Sequence, residues 1–227
     1  MSVSIVYHGH STFEVYNHDH HLIVDPFLNQ NPLSDIKADA IKATHILLSH
    51  AHFDHVADAE AIAGKNNAAI YCNVEMSQYY SGRGLKNVVG LNQGGTCKTP
   101  FGKLSLTVAF HTSTFPDGTA GGVACGMVIE IGGRRIYYAG DTALFGDMAL
   151  SGRLWKPDIA ILPIGDHYTM GPGHAVLAAE MIGAPQVMPV HFNTFPPIAQ
   201  NPETFAEDVR IKGVKPVILK PGGKLEL

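Results

Sequence analysis

The segment from residue 49 to residue 55 concentrates side chains that bind metal ions. Three histidines and one aspartate fall within six positions, at His50, His52, Asp54 and His55. Burying so many polar groups without partners would cost free energy, and a bound metal ion removes that cost. Imidazole suits Zn, Fe, Ni and Cu, while carboxylates extend the choice to Mn. The segment therefore predicts a metal site.

The spacing within this segment favours two ions. On an extended loop, His50 and His52 point to the same side and can clamp a first ion. Asp54 and His55 lie at the start of a predicted helix and can turn towards a second ion. Each ion then needs further ligands from elsewhere in the chain. The candidates each follow another apolar run: His111, Asp141 and His191.

The elements that must position these residues are short strands and helices. The first 25 residues predict a β-meander, and the middle of the chain is strand-rich, with a hairpin turn at Gly132-Gly133. Further strands are predicted at 45–49, 159–163, 187–190 and 217–219, and helices at 56–65, 173–182 and 202–212. This pattern predicts an α/β (α+β) fold in which two inner sheets lie between outer helices.

The composition limits the class of protein. With 227 residues, 45% of them hydrophobic and 16% charged, the chain can bury one large core, and we expect a single domain over residues 1–227. A net charge of -4 leaves no general basic surface for a nucleic-acid backbone. The N-terminus lacks a signal-peptide pattern, and no apolar run reaches the roughly 18 residues of a membrane span. The three scattered cysteines fit reduced thiols, so we expect a cytoplasmic protein.

With these residues in this order, the sequence resembles the metallo-β-lactamase superfamily. The motif is His50-x-His52-x-Asp54-His55, followed by His111, Gly140-Asp141-Thr142 and His191. Three more segments resemble a small single-domain branch of metal-dependent hydrolases, related to ascorbate-6-phosphate lactonases and N-acyl-phosphatidylethanolamine phospholipase D-like enzymes: Gly9-His10-Ser11, Val24-Asp25-Pro26-Phe27 and 163–172. The resemblance covers essentially the whole chain. It implies a four-layer αββα sandwich with the metals at one edge of the two sheets.

The resemblance also implies which residues bind which ion. The first ion would be held by His50, His52 and His111, the second by Asp54, His55 and His191, and Asp141 would bridge the two. The histidine-rich set favours Zn, and Mn, Fe or Ni would fit the same ligands. Two divalent ions about 3.5–4 Å apart lower the pKa of a bridging water, and the resulting hydroxide attacks the substrate.

Residues outside the ligand set carry separate expectations. Asp54 and His167 are the predicted catalytic residues. We expect His167 to orient the substrate or protonate the leaving group, with Tyr168 nearby; a structural loop histidine is the alternative. His10 and His167 are the predicted substrate-binding residues, and for His10 a structural hydrogen bond is the alternative. We expect Asp25 to brace the metal loop from behind.

Together these features predict a metal-dependent hydrolase that cleaves an ester, lactone or phosphodiester bond in a small substrate. A phosphodiesterase or nuclease acting on nucleotides or nucleic acid is the first alternative, although the acidic net charge disfavours long nucleic acid. Di-iron oxidoreductases of the superfamily place Glu where His52 stands and add a flavin-binding domain, for which we expect no room. A non-enzymatic metal-binding protein is the remaining alternative, and it is expected to lack a ligand. The apolar stretch 192–198 leaves a homo-oligomer open.

Overall fold

The computed structural model describes residues 2–227 and contains two seven-stranded sheets. The strands of the first sheet are β1 (Ser4–Tyr7), β2 (Phe13–Tyr16), β3 (His21–Val24), β4 (His45–Leu47), β5 (Ala69–Asn73), β6 (Val88–Leu91) and β14 (Lys224–Glu226). Their order across the sheet is β14-β1-β2-β3-β4-β5-β6. The meander β1-β2-β3 is antiparallel, whereas β3 to β6 run parallel.

The second sheet also has an antiparallel part and a parallel part. Its strands are β7 (Thr96–Thr99), β8 (Gly102–Val108), β9 (Cys125–Ile131), β10 (Arg134–Tyr138), β11 (Ile159–Pro163), β12 (Gln186–Val190) and β13 (Lys215–Pro216), in the order β13-β12-β11-β10-β9-β8-β7. The hairpin β9-β10 is antiparallel, as Gly132-Gly133 predicts. The strands from β10 to β13 run parallel.

Alternating side chains along each strand build three layers of core, because successive residues of a strand point to opposite faces. In β3, Leu22 and Val24 face the second sheet, while Ile23 belongs to the core under the outer helices. In β10, Tyr138 packs between the sheets and Tyr137 faces outward. The helices are α1 (Phe53–Val56), α2 (Ala59–Asn66), α3 (Val74–Gly82), α4 (Met148–Trp155), α5 (Pro172–Ile182) and α6 (Pro202–Ile211), with 3-10 turns at Ala38–Ala40 and Pro196–Ile198. The predicted four-layer αββα sandwich is confirmed.

Several predicted boundaries are wrong. The final strand expected at 217–219 is replaced by β13 at Lys215–Pro216 and by β14, a short polar strand that pairs antiparallel with β1. A local sequence pattern cannot reveal a pairing between the two ends of the chain. Helix 56–65 is instead two helices, α1 and α2.

Helix α4 and strand β7 were not predicted. Gly152 weakens the helical signal within α4. It is needed there because a Cβ atom at Gly152 would lie 2.1 Å from the carbonyl oxygen of Ile182 in α5. Among residues 2–227, no helix is long and apolar enough to cross a membrane.

Loops that leave the strands meet at one edge of both sheets. Residue 50 follows β4, residue 111 follows β8, residue 141 follows β10, and residue 191 directly follows β12. A backbone hydrogen bond from Cys125 to Ser49 joins the two sheets beside these loops, at 2.9 Å. The fold therefore gathers segments that are far apart in the sequence at a single edge.

Candidate metal centre

The structure brings all seven predicted ligands together at this edge. His52 is the residue immediately before α1, and Asp54 and His55 lie in α1 itself. The other four lie on the loops that follow β4, β8, β10 and β12: His50, His111, Asp141 and His191. Every one of the seven belongs to a loop or short helix that is anchored by a buried strand. Rigid strands thus present the side chains.

The first group of ligands consists of three histidines whose ring nitrogens face one another. Nδ1 of His52 lies 3.0 Å from Nε2 of His50 and 3.2 Å from Nε2 of His111. Burial lowers the pKa of all three imidazoles, and the neighbouring His55 lowers that of His50 further. Neutral imidazoles are the form that binds a metal ion.

The second group consists of Asp54, His55 and His191. Oδ2 of Asp54 lies 3.9 Å from Nε2 of His55 and 3.8 Å from Nε2 of His191. Burial by itself raises the pKa of Asp54, but the charge of His55 and a hydrogen bond from His10 lower it overall. The carboxylate is therefore ionised, as a metal ligand must be.

Asp141 lies between the two groups. Its Oδ2 is 3.0 Å from Nε2 of His191 and 3.3 Å from Nε2 of His55, on the side of the second group. The same oxygen is 3.8 Å from Nε2 of His111 and 3.9 Å from Nε2 of His50, on the side of the first. One carboxylate oxygen thus lies within reach of both groups, which is the placement of a bridging ligand.

The donor set fits divalent metal ions. Within residues 2–227, three buried atoms of this cluster have no hydrogen-bond partner: Nε2 of His55, Oδ1 of Asp141 and Nδ1 of His191. Unpartnered buried polar atoms are rare, because each costs the desolvation of that group. A cation among the ligands would satisfy Nε2 of His55 and Oδ1 of Asp141, whereas Nδ1 of His191 lies on the other side of its ring from Nε2, which faces Asp141. Nitrogen and carboxylate donors of this kind suit Zn, Mn, Fe or Ni.

Asp25 holds the metal loop from behind, as expected from the sequence. Its carboxylate accepts hydrogen bonds from the Ser49 backbone N–H at 2.8 Å, the Ser49 hydroxyl at 2.6 Å and the Tyr138 hydroxyl at 2.7 Å. It also lies 2.8 Å from Nδ1 of His55. The bond to Nδ1 turns Nε2 of His55 towards Asp141, so Asp25 fixes the orientation of a predicted ligand.

The backbone around the centre adopts conformations that side chains rarely tolerate. His10, Asp25 and His191 have φ angles of 56°, 44° and 55°. Gly140, just before Asp141, has a φ of 63°, and a Cβ atom there would lie 2.5 Å from the carbonyl oxygen of Cys125. Left-handed non-glycine residues persist where surrounding structure holds them, and they cluster at functional sites.

His10 does not reach the mouth of the site, and this corrects the expectation that it contacts substrate. Its side chain is fully buried. Nε2 lies 2.9 Å from Oδ2 of Asp54, and Nδ1 lies 2.9 Å from Oγ1 of Thr194. Burial, together with the neighbouring His191, lowers the pKa of His10 to about 4. His10 therefore links Asp54 to Thr194, and the sequence did not reveal this because 184 positions separate His10 from Thr194.

The cavity in front of the ligands has a volume of about 290 Å³. Its lining residues are His52, Asp54, His111, Thr112, Asp141, Tyr168 and His191. Tyr168 is among them, whereas the neighbouring His167 is exposed and is not. Thr112 was missed by the sequence analysis; it directly follows His111, and its Oγ1 lies 3.2 Å from Nε2 of His52.

The sequence and the fold are similar to those of known proteins. A family model described as the beta-lactamase superfamily domain matches residues 20–192. The UPF0173 metal-dependent hydrolase YtkL of Bacillus subtilis is 48% identical over 212 residues, which are 91% of this chain and 93% of that protein. The UPF0173 metal-dependent hydrolase TTHA1283 of Thermus thermophilus is 44% identical over 225 residues, 99% of each chain. The structure of Igni18, a metallo hydrolase from Ignicoccus hospitalis, has a TM-score of 0.92 at 34% identity and covers 100% of this chain and 99% of its own.

Proposed function

Because the chain belongs to the metallo-β-lactamase superfamily, we propose that its cluster of histidines and aspartates holds two divalent ions and that these serve the hydrolysis of a small substrate. The chain is a metal-dependent hydrolase, as are its relatives by name, and the alternative of a non-enzymatic metal-binding protein is set aside. The proposal adds that two ions bind and that the bond cleaved is an ester, lactone or phosphodiester.

The observation that carries the proposal is the position of Asp141. Its Oδ2 lies within 3.9 Å of ring nitrogens from both histidine groups, so two ions held by these groups would share it. Two ions so placed would supply a Lewis acid and would lower the pKa of a bound water towards neutrality. The histidine-rich donors favour Zn, and Mn, Fe or Ni remain chemically compatible.

The chain's own residues supply position and shape. Asp25 holds His55, and His10 holds Asp54, so these two ligands of the second group each keep one orientation. Thr112 and Tyr168 offer hydroxyl groups to a substrate within the cavity. A volume of about 290 Å³ supports a small substrate. A direct catalytic role for His167 stays a prediction.

Several finer assignments stay predictions too. They include Zn as the native metal, residues 1–227 as one hydrolase domain, the cytoplasmic location, a homo-oligomer, and kinship with ascorbate-6-phosphate lactonases. A phosphodiesterase acting on nucleotides also remains an alternative within the same chemistry. None of them alters which residues are proposed to bind the ions.

Metal-depleted protein reconstituted with Zn or Mn tests the proposal. We expect turnover of at least one of three probes: p-nitrophenyl butyrate, a simple δ-lactone and bis-p-nitrophenyl phosphate. We expect no turnover by the depleted protein or by the reconstituted His50→Ala, His52→Ala variant. Turnover that survives both metal depletion and this double substitution would refute the proposal.

A further inference from the structure

The wall of the metal cavity contains no positive side chain. Within residues 2–227, the residues that line it are three histidines, two aspartates, Thr112 and Tyr168, and neither Lys nor Arg is among them. The lining histidines are the proposed metal ligands. Once the ions neutralise the reacting group, a second anionic group on the substrate would meet Asp54 and Asp141 and no side-chain cation.

This composition bears on substrate charge. Proteins recognise a phosphate or carboxylate that is not the reacting group with Arg, Lys or clustered backbone N–H groups, because burying an unpaired charge is costly. The side chains that line this cavity offer no such partner beyond the metal ligands. A substrate that carries a phosphate away from the scissile bond therefore has poor complementarity here.

One exposed aromatic side chain lines the same cavity. The side chain of Tyr168 is 55% exposed and lines the cavity. Phe53 and Phe110 are also exposed and are neighbours of ligands in the chain, but they do not line this cavity. Apolar surface around a polar centre is typical of a site for a partly apolar ligand.

The loop that carries Tyr168 is held rigidly beside the ligands. Asp166 and His167 have φ angles of 59° and 48°, which two successive non-glycine residues rarely share. The backbone N–H of Asp166 donates to the carbonyl of Met170, and the N–H of Met170 donates to the carbonyl of Thr142, next to Asp141. The backbone that carries Tyr168 is thus held relative to the bridging carboxylate, and strain of this kind is concentrated at functional positions.

We propose that the natural substrate carries no charged group away from its scissile bond, that its apolar part packs on Tyr168, and that Tyr168 determines specificity. The inference rests on the proposed function and narrows its substrate class. For an ester or lactone, the oxygen of water bonds to the carbonyl carbon, and the bond from that carbon to the ester oxygen breaks. The released alkoxide takes up the proton that the water loses, so an ester gives a carboxylic acid and an alcohol, and a lactone gives a hydroxy acid.

Matched substrates with the same reacting bond test the charge preference. The metal-reconstituted protein is assayed on p-nitrophenyl butyrate and on the mono-p-nitrophenyl ester of succinic acid, which adds one distal carboxylate. We expect kcat/KM for the butyrate to be higher by at least about tenfold, the size of one unfavourable charge contact. Glucono-δ-lactone and its 6-phosphate form a second pair, with the same direction expected. Equal or faster hydrolysis of the charged members would overturn the inference.

Variants of Tyr168 test the packing role by binding as well as by activity. Tyr168→Ala should raise KM for p-nitrophenyl butyrate about tenfold, and Tyr168→Phe should retain most of the affinity, since the ring is kept. Calorimetry should show that hexanoate binds about tenfold more weakly to Tyr168→Ala than to the wild type, whereas inorganic phosphate binds both equally. Leu154→Ala, which removes a 72% exposed side chain of α4, is the matched control and should change nothing.

The two proposals fail in different ways. If the protein binds its full complement of metal but hydrolyses none of the probes, the proposed function is refuted. The calorimetric comparison of hexanoate binding to the wild type and to Tyr168→Ala still tests the role of Tyr168. Hydrolysis of neutral esters with hexanoate binding unaffected by Tyr168→Ala would keep the function and refute the role of Tyr168.

Discussion

Histidines and carboxylates meet at two buried places in this molecule, and their partners differ. In the first, which we call the meander cluster, His8, Glu14, His21 and Asp35 join β1, β2 and β3 to the following loop. His8 uses both ring nitrogens, with Nδ1 2.8 Å from Asp35 and Nε2 2.8 Å from Glu14. His21 contacts the other oxygen of Glu14. Each histidine in this cluster faces a carboxylate.

In the first group of ligands at the metal centre, histidines face histidines. His50, His52 and His111 direct ring nitrogens at one another, and Nε2 of His55 has no hydrogen-bond partner. The meander cluster is electrostatically complete, while the metal centre gathers lone pairs that only a cation satisfies. Counting histidines in a sequence does not separate these cases; the partner of each ring nitrogen does.

The pKa directions express the same difference. Burial by itself lowers the pKa of His8, but hydrogen bonds to Glu14 and Asp35 raise it overall above its usual value. Burial and the nearby His55 lower the pKa of His50 well below the usual value. His8 is therefore stabilised as a cation within an ion pair, whereas His50 is kept neutral and ready to bind metal.

The largest expected effect is that of Asp141→Asn. It removes the charge that lies between the two histidine groups, so we expect turnover to fall by at least about 10³-fold and at least one ion to be lost. Turnover and metal content per chain are the measurements. As the control, Glu14→Gln removes the same charge from the meander cluster and should change neither turnover nor metal content. If Asp141→Asn kept its metal and its activity, the two clusters would not differ in the way proposed.

Asp25→Asn should have the next largest effect. The amide cannot accept the hydrogen bonds from Ser49, Tyr138 and His55 in the same way, so His55 loses its fixed orientation. We expect metal affinity to fall about 10–100-fold, measured by competition with a chelator. Asp35→Asn, the matching change beside His8, should leave the affinity unaltered. An unchanged affinity in Asp25→Asn would mean that His55 is held by other contacts.

Glu14→Gln should weaken the fold without touching the metals. Burial alone raises the pKa of Glu14, but hydrogen bonds from His21 and His8 lower it overall to about 2, from a usual value of 4.5. We expect the free energy of unfolding to fall by about 1–3 kcal/mol near pH 6. Thermal denaturation of both proteins measures this difference.

The pH dependence of that difference has a defined sign. Because the folded pKa of Glu14 is lowered, its contribution is present above pH 4.5 and is lost as pH falls towards about 2. Because the folded pKa of His8 is raised, its contribution is present below 6.5 and is lost as pH rises through the raised value. The two proteins should therefore differ most between pH 4.5 and 6.5, and a difference that grows towards pH 2 would contradict the ion-pair assignment.

Thr194→Val should have the smallest effect. It removes the hydroxyl beside Nδ1 of His10 and leaves the direct contact between His10 and Asp54 in place. We expect metal affinity to fall by less than about tenfold, because the change is two contacts away from the ions. Thr96→Val, at the far edge of the second sheet, is the control. A larger loss than that of Asp25→Asn would show that the hydroxyl of Thr194 orders the whole loop.

The sequence predicted the ligand-bearing loops because each follows a short apolar strand, and strand ends gather at one edge of a sheet. It could not separate His8 from His10, which flank Gly9. The turn at Gly9, with a φ of 93°, sends one ring to Glu14 and the other to Asp54. That outcome depends on partners such as Thr194, which local sequence does not reveal.

The same limit applies to His167 and Tyr168. Both lie in a loop that follows β11, and a histidine is the more familiar acid or base. The left-handed backbone at Asp166 and His167 decides which side chain lines the cavity, and the structure selects Tyr168. Strand β14 was likewise missed because its pairing with β1 joins opposite ends of the chain.

Elemental analysis of protein reconstituted with Zn and Mn tests the central claim most directly. The account predicts about two ions per chain in the wild type and in Glu14→Gln, and a sharp fall in the His50→Ala, His52→Ala variant. Near-zero metal in the wild type, or a content that the double substitution leaves unchanged, would contradict it.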